Sequence, residues 1–210
     1  MAKVRGESRP HGVRRREQII TAAIELFGEV GYRAAGLRDI AARAGITHPG
    51  LLYHFGSKEE LLAAVLKYRD LEQEGMLSAV QPEPHQVIRA IYQVVETNAQ
   101  QSKIVEMFTM LAAESTDSAH PAHDYFELRY GMLRDRYTGL ASVLADAGML
   151  RPGITPRVVA TNMIALLDGL QLQWLHDPEA VDMVTQVDCF VRAILLPHHL
   201  NIAEPAALAG

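Results

Sequence analysis

The chain has 210 residues, of which 49% are hydrophobic and 21% are charged. This composition excludes a disordered chain and fits one mid-sized domain, or a small unit joined to a larger one. No apolar stretch reaches the roughly 18 residues that a membrane-spanning helix needs, and the basic start of the sequence lacks the apolar segment of a secretory signal. We therefore expect a cytoplasmic protein with no membrane partner.

The formal net charge of −5 is unevenly distributed along the chain. Residues 1–60 hold ten Lys/Arg against seven Asp/Glu, a net of +3, and residues 61–210 hold ten against eighteen, a net of −8. A basic arm on an otherwise acidic protein indicates a local binding surface for a polyanion. Within the first sixteen residues Glu7 is the single acidic residue, and the basic residues are Lys3, Arg5, Arg9, Arg14, Arg15 and Arg16.

The first third of the chain has the spacing of four helices. Apolar residues recur at helical spacing from about Arg14 to Val30, and Gly31 is predicted to end this helix in the left-handed conformation. The fourth helix is long, and Ser57 with Glu60 predicts a capping box at its start.

Between these two lies a pair of short helices. The first is predicted from Leu37 to Ala44, after Gly36, and the second starts at Thr47. Gly45 permits the tight turn between them.

The rest of the chain is also predicted to be helical, because no segment alternates with the period of a strand. Two helices follow the proline-rich break at 81–84, and Cys189, alone and inside an apolar run, is predicted to fill the core. The sequence thus predicts an all-α protein of about nine helices whose tail frays from Pro197. The last three helices are predicted to begin near His120-Pro121, Thr155-Pro156 and Asp177-Pro178.

Two short helices around a glycine turn, after a longer helix, are typical of a helix-turn-helix unit that binds DNA. Over residues 14–62 the sequence also resembles the tetracycline-repressor (TetR) family, with many positions in register. The resemblance implies a DNA-binding domain at 1–60 and a larger effector-binding and dimerisation domain at 61–210. The matching segments are Ala22-Ala23, Leu26-Phe27, Gly31-Tyr32, Asp39-Ile40-Ala41, Ala44-Gly45-Ile46-Thr47 and the run from Pro49 to Leu61.

A recognition helix meets base edges through its N-terminal turn, which here holds Thr47, His48, Pro49 and Gly50. His48 can donate to guanine, Pro49 offers an apolar surface, and Gly50 lets the backbone come close. Thr47 either caps its helix or contacts phosphate.

Contacts to the DNA backbone are predicted for Arg38, Tyr53, His54 and Lys58. In many TetR members a tyrosine stands at the position of Leu52; here the aromatic residue is its neighbour Tyr53. Arg14, Arg15 and Arg16 are expected to reach an adjacent phosphate or the minor groove. A solvated face for these arginines and a packed turn for His54 are the alternatives.

The last two predicted helices are candidates for a dimer interface. Ala165 and Gly169 lie four residues apart with Leu172 on the same side, so that a second helix could approach closely. A two-fold dimer would match a palindromic operator. The alternative is that both helices are internal core. The final helix contributes Val184, Val187, Val191 and Ile194.

Methionine and aromatic residues at helical spacing predict an effector pocket in the larger domain, with ordinary core as the alternative. Asp168 is either a ligand contact or a structural carboxylate. The apolar candidates are Met107, Phe108, Met110, Leu111, Tyr125, Phe126, Tyr130, Met163, Leu167 and Trp174, and the polar ones are Glu114, Asn162, Asp168 and Gln171.

Glu114, Asp117, His120 and His123 recur every three residues, but Pro121 interrupts any helix across them. We expect them to end a helix and form a loop rather than bind a metal. No catalytic or cofactor-binding string occurs, so neither an enzyme nor a cofactor is predicted.

The sequence as a whole favours a homodimeric repressor that binds double-stranded DNA at a palindromic operator and is released by a small-molecule effector. Two alternatives remain: a helical enzyme or small-molecule carrier with an incidental basic arm, and an architectural DNA-binding protein that needs no cavity.

Overall fold

The computed structural model describes residues 11–78 and 83–199. Lys3, Arg5 and Arg9 of the basic arm, and the tail beyond 199, lie outside the described residues. Within them, no helix is both long and apolar enough to pass through a membrane. The all-α prediction is confirmed, and the described helices are α1 (His11–Ala34), α2 (Leu37–Arg43), α3 (His48–His54), α4 (Lys58–Ser78), α5 (Pro84–Gln100), α6 (Ser102–Glu114), α7 (His123–Asp146), α8 (Pro156–His176) and α9 (Met183–Ile194), followed by a 3₁₀ turn at Pro197–His199.

Gly31 interrupts α1 and does not cap it in the left-handed helical conformation. Its φ of 78° and ψ of 167° place it in a region that is open mainly to glycine. The helix kinks there and continues to Ala34. A side chain at this position would also collide with the carboxylate of Glu114.

The short helices α2 and α3 form around Gly45, whose φ of 65° lets the chain turn sharply. Helix α3 begins at His48, one residue later than predicted, because Thr47 is its N-cap. The Gly50 backbone N–H donates to Thr47 Oγ1 at 3.2 Å, which satisfies one of the open donors of the first turn. Gly36 caps α2 without a side-chain hydrogen bond.

Helix α4 begins with the predicted capping pair. The Glu60 backbone N–H donates to Ser57 Oγ at 3.1 Å, and the Gly56 N–H donates to Glu60 Oε2 at 2.8 Å. Reciprocal bonds of this kind fix where a helix starts.

Two hydrophobic cores organise the described residues. The first core joins α1–α4 to α6 and to the start of α7 through residues such as Phe27, Leu51, Met107 and Leu111. The second core joins α5, α7, α8 and α9. Helix α6 therefore packs with the helix-turn-helix unit, which we define as α1–α3, although it lies more than forty residues further along the chain.

The starts of two later helices differ from the prediction. Helix α7 begins at His123, since His120 Nδ1 accepts the Ala122 N–H (3.1 Å) in a turn. Asp177 also forms a turn, accepting the Glu179 and Ala180 N–H groups. The N-cap of α9 is Asp182, whose carboxylate accepts two backbone N–H groups of the first turn. Thr155 caps α8, as predicted.

Cys189 is exposed and does not fill the core, contrary to the prediction. Val187 and Val191 on the same helix are buried in the second core. Cys189 follows Val187 by two positions, which is about 200° around a helix, so its side chain faces away from that core.

Candidate nucleic-acid interface and ligand cavity

Helix α3 has one buried and one exposed side. Leu51 is fully buried, whereas Tyr53 is 87% exposed. At the start of the helix Thr47 and Pro49 are exposed, and His48 and Gly50 are half-buried. The predicted DNA-contacting turn is therefore open to solvent, anchored from below by the first core.

The basic residues around this turn differ in exposure and in what their side chains contact. Arg14, Arg15 and Arg38 are exposed. The guanidinium of Arg16 lies 4.6 Å from the ring centroid of Phe55, a cation–π distance. Arg16 therefore packs against the end of α3.

Tyr53 and His54 form an edge-to-face pair with ring centroids 5.4 Å apart. This arrangement orients the exposed tyrosine and leaves His54 half-buried beside it.

Lys58 is a predicted phosphate contact whose side chain also makes contacts within the protein. Its Nζ lies 4.4 Å from the centroid of the Tyr32 ring and donates to the Arg33 carbonyl at 3.3 Å. Burial lowers the pKa of this ammonium. In this structure Lys58 is half-buried and contacts the end of α1, and its contact with DNA phosphate stays a prediction.

A cavity of about 270 Å³ lies in the larger part of the molecule. It is bounded by α4, α5, α6, α7 and α8, and its walls are mainly apolar and aromatic. Of the predicted pocket residues, it brings together Phe108, Phe126, Tyr130, Leu167, Asp168 and Gln171. The other lining residues are Arg69, Val94, Asn98, Thr109, Ala112, Ala113, Arg129, Leu133, Tyr137, Ile164 and Leu172.

Two guanidiniums flank the Phe108 ring at one side of the cavity. Arg69 lies 5.4 Å and Arg129 4.9 Å from its centroid. Arg69 NH2 donates to Asn98 Oδ1 at 3.1 Å, and Arg129 NH1 donates to Asp70 at 2.6 Å. The cations are therefore fixed in place, which orients donors and an aromatic face toward the cavity.

Asp168 lines the cavity from α8 and is exposed in the single chain. The Tyr130 hydroxyl donates to its Oδ2 at 2.9 Å. Removal of water by the surrounding protein raises the pKa of Asp168, although the residue remains exposed in the single chain. The structure thus gives this carboxylate a hydrogen-bond partner and a place in the cavity wall.

Several predicted pocket residues do not line this cavity. Met107 and Leu111 point from α6 into the first core, Met163 and Trp174 belong to the second core, and Tyr125 lines a separate cavity against α4. Periodicity places a residue on an apolar face but does not decide which of two cores that face enters. Of the remaining candidates, Met110 and Asn162 are exposed, and Glu114 contacts α1.

The predicted dimer residues divide between the two last helices. Ala165 and Leu172 on α8 are exposed and Gly169 is half-exposed. Val158 lies on the same face at a seven-residue spacing and is 48% exposed. The expected interface on α9 is wrong for its four residues, because they are buried in the chain's own second core: Val184, Val187, Val191 and Ile194.

The polar series of the α6–α7 connection serves local structure. Asp117 accepts the Ala119 N–H and pairs with Arg33, and His123 Nδ1 lies 2.8 Å from the Ser115 carbonyl oxygen. Three groups at the start of α7 come within 4.8 Å of one another, as metal ligands would, but two are exposed carboxylates and the third is the bonded His123.

The sequence analysis missed the most polar part of the cavity. Arg69 continues the apolar face of α4 at helical spacing from Leu62 and Leu66, and only 4% of it is exposed. A charged residue at an apolar position was the available signal. Nothing in the sequence indicated that Asn98 and Thr109 line the cavity, because their positions depend on how α5 and α6 pack.

Comparison with known families matches most of the chain. The model for bacterial regulatory proteins of the tetR family matches residues 19–65. The model for the C-terminal part of BetI-type transcriptional repressors matches residues 84–196, which is more than half of the chain.

Individual relatives agree with this. The transcriptional regulator BetI of Paraburkholderia phytofirmans is 30% identical, covering 80% of this chain and 85% of that protein. The transcriptional activator FasR of Mycolicibacterium smegmatis is 46% identical over 76 residues, 31% of this chain and 35% of that protein. The crystal structure of NalD, the secondary repressor of the MexAB-OprM multidrug efflux pump in Pseudomonas aeruginosa, has a TM-score of 0.72 at 25% identity and covers 90% of this chain and 98% of its own. The chain therefore belongs to the TetR family of DNA-binding transcriptional regulators.

Proposed function

We propose that this protein is a ligand-responsive repressor whose dimer binds a two-fold symmetric operator and leaves it when a small molecule occupies the cavity. The observation that carries the proposal is the presence, in one chain, of a solvent-open recognition turn and a separate aromatic-lined cavity of about 270 Å³. An architectural DNA-binding protein would have no use for such a cavity. We place the protein in the cytoplasm, with its DNA-binding domain at 1–60 and its effector-binding and dimerisation domain at 61–210.

The DNA contacts that we propose fall into two groups. His48, Pro49 and Gly50 meet base edges, because they form the first turn of α3, in which Pro49 is exposed and the other two are half-buried. Arg14, Arg15, Arg38 and Tyr53 are exposed around that turn and contact the DNA backbone. Thr47 holds the turn by capping it, while Arg16 and His54 support the surface through their ring contacts.

The cavity suits a small, largely apolar molecule with a few polar groups. Aromatic rings from α6 and α7 offer stacking surfaces, and Arg69, Asn98, Tyr130, Asp168 and Gln171 supply hydrogen-bonding groups around them. A few placed polar groups in an apolar cavity are what orient a ligand in typical binding sites.

For the dimer we propose the outward face of α8, where Val158, Ala165, Gly169 and Leu172 are open in the single chain. Two such faces can pack against each other around a two-fold axis. Helix α9 packs with α8 in the second core, and its exposed side would extend this interface.

The repressor assignment is supported by the C-terminal family model, which describes BetI-type transcriptional repressors and matches residues 84–196. An activator is the second candidate, favoured by the 46% identity of the N-terminal part to FasR. A reporter gene placed behind the selected operator distinguishes them, since deletion of the regulator raises expression for a repressor and lowers it for an activator.

The experiment that tests the proposal is selection of bound duplexes from a random-sequence pool, followed by salt-dependent affinity measurements. We expect enrichment of an inverted repeat and a steep loss of affinity with salt, because phosphate contacts release counterions. Arg38→Glu should abolish the enrichment. Arg134→Glu makes the same charge change on the exposed side of α7 and is the matched control. A protein that binds no duplex even at low salt would instead be a carrier.

A further inference from the structure

Two faces of helix α6 pack against different parts of the protein. Phe108, Thr109 and Ala112 face the cavity, whereas Met107 and Leu111 are fully buried in the first core with α1. Any ligand that changes the position of the cavity-facing side must therefore also displace the side that packs on α1, since a close-packed helix moves as a unit.

The backbones of α1 and α6 approach each other closely. A Cβ at Gly28 would lie 3.1 Å from the backbone nitrogen of Met107, so only glycine allows this separation without a shift. One turn later, Gly31 leaves room for the carboxylate of Glu114. The two glycines thus mark a line of contact along which α6 rests on α1.

Glu114 ends this line with a hydrogen bond to the α1 backbone. The Tyr32 N–H, directly after the kink at Gly31, donates to Glu114 Oε2 at 2.7 Å. Glu114 is also the last residue of α6, where the helix dipole disfavours a negative charge. The hydrogen bond from α1 therefore stabilises the carboxylate at a position that the dipole of α6 disfavours.

Tyr32 extends the contact to α4 and to the α6–α7 connection. Its hydroxyl donates to Glu59 Oε1 on α4 at 3.0 Å, and its ring packs edge-on against His120 with centroids 5.1 Å apart. His120 Nε2 lies 3.6 Å from Glu114 Oε2. A shift of Glu114 therefore affects α1, which belongs to the helix-turn-helix unit, and through Tyr32 also α4.

We propose that Glu114 is the positioning residue that transmits occupancy of the cavity to the helix-turn-helix unit, through its hydrogen bond to the Tyr32 amide. This inference rests on the proposed function and names its internal connection. Ala112 and Ala113 of the cavity wall immediately precede Glu114 in α6. A ligand that displaces this turn changes the hydrogen bond and with it the direction in which α1 presents α2 and α3.

The test measures coupling without knowledge of the natural effector. N-phenylnaphthylamine, an uncharged dye that fluoresces in apolar cavities, is titrated into the full-length protein with and without a saturating duplex selected from a random pool. The ratio of the two dye dissociation constants is the coupling. For the wild type we expect the duplex to weaken dye binding by about fivefold or more, the usual lower range for linked sites.

Glu114→Ala should bring this ratio to within about twofold of one, because both ligands still bind but their sites no longer communicate. Glu114→Gln keeps an oxygen acceptor and should retain the coupling. Glu127→Ala removes an exposed carboxylate on α7 and is the matched control. Exchange of the Tyr32 amide hydrogen should be faster in Glu114→Ala than in the other variants.

Coupling that persists in Glu114→Ala, or that Glu114→Gln loses as completely, would overturn the inference while leaving the proposed function intact. The inference would also be overturned if the wild type bound dye and duplex independently of each other. Failure of the wild type to bind any duplex would instead contradict the proposed function, and with it this inference.

Discussion

At the scale of single residues, Gly31 combines two demands that no other amino acid meets. Its φ is 78°, and the space of a Cβ is occupied by the Glu114 carboxylate. We predict that Gly31→Ala lowers the free energy of unfolding by about 1–3 kcal/mol, the usual cost of backbone strain at such a position. Chemical denaturation measures it.

Gly139→Ala provides the control for this substitution. Gly139 lies inside α7 with no heavy atom near the place of a Cβ, so alanine there should leave the stability unchanged or raise it by about 0.5–1 kcal/mol. Equal stability changes for the two variants would contradict the assigned role of Gly31.

His48 is the residue that we expect to distinguish bases. It stands half-buried in the first turn of α3, where an imidazole can donate to guanine. His48→Ala should change the base preference found by selection at one position of each half-site. Arg38→Ala should weaken all duplexes alike and reduce the salt slope by about 1. Identical preference profiles for wild type and His48→Ala would refute the assignment.

Asp168 should make the stability of the protein depend on pH. Loss of water contact raises its pKa above the ordinary value of 3.8, against the opposing effects of the Tyr130 hydroxyl and Arg129. A carboxyl whose pKa is raised by folding favours the folded state below its unfolded pKa and loses that contribution as pH rises through the folded pKa. Asparagine does not titrate, so the Asp168→Asn variant should not lose stability in this way as pH rises.

The difference in unfolding free energy between Asp168→Asn and wild type should therefore increase in favour of the variant from acid to neutral pH. Urea unfolding below the unfolded pKa and at neutrality measures this difference. A difference that is constant, or that changes in the other direction, would show that hydrogen bonding and not desolvation dominates at Asp168.

At the scale of secondary-structure elements, α9 shows where sequence periodicity is sufficient and where it is not. Its apolar spacing predicted a helix with a broad buried face, which is correct. The same spacing could not show that Val187 and Ile194 pack within their own chain, since a core and a dimer interface require the same residue types. Asp177-Pro178 similarly imitates a helix start but forms a turn, because Asp182 is the residue that caps α9.

The two faces of this region predict opposite effects of mutation. Ile194→Ala removes a buried side chain from the second core and should cost about 2–5 kcal/mol of stability. Val158→Glu places a charge on the outward face of α8 and should dissociate the dimer with little change in the stability of the chain. Sedimentation velocity and thermal unfolding measured on both variants distinguish the effects. A Val158→Glu variant that stays dimeric would exclude this face as the interface.

At the scale of the whole molecule, the helix-turn-helix unit could be predicted and the cavity only in part. The unit is local in sequence, and Gly45, Thr47 and the capping pair of α4 all lie within residues 45–60. The cavity is formed by five helices far apart in sequence, so that Phe108 and Asp168 meet only after folding. Met107 was assigned to the cavity because neighbouring positions on α6 face either the first core or the cavity, and sequence spacing does not separate the two.

The cavity and the helix-turn-helix unit are separate, but one helix contacts both. Helix α6 belongs to the first core and to the cavity wall at once. A ligand can shift DNA affinity only by its differential affinity for two conformations, and a helix shared by both sites is where such a difference arises.

The most direct test of a ligand-responsive regulator is the affinity of the selected duplex with and without a compound, chosen from a metabolite panel, that binds the cavity. Fluorescence anisotropy of the labelled duplex gives one dissociation constant, and titration of the compound gives the other. We predict that the compound weakens duplex binding by about 5–150-fold and that the duplex weakens compound binding by the same factor. A compound that saturates the cavity and leaves the affinity for the duplex unchanged would contradict the account.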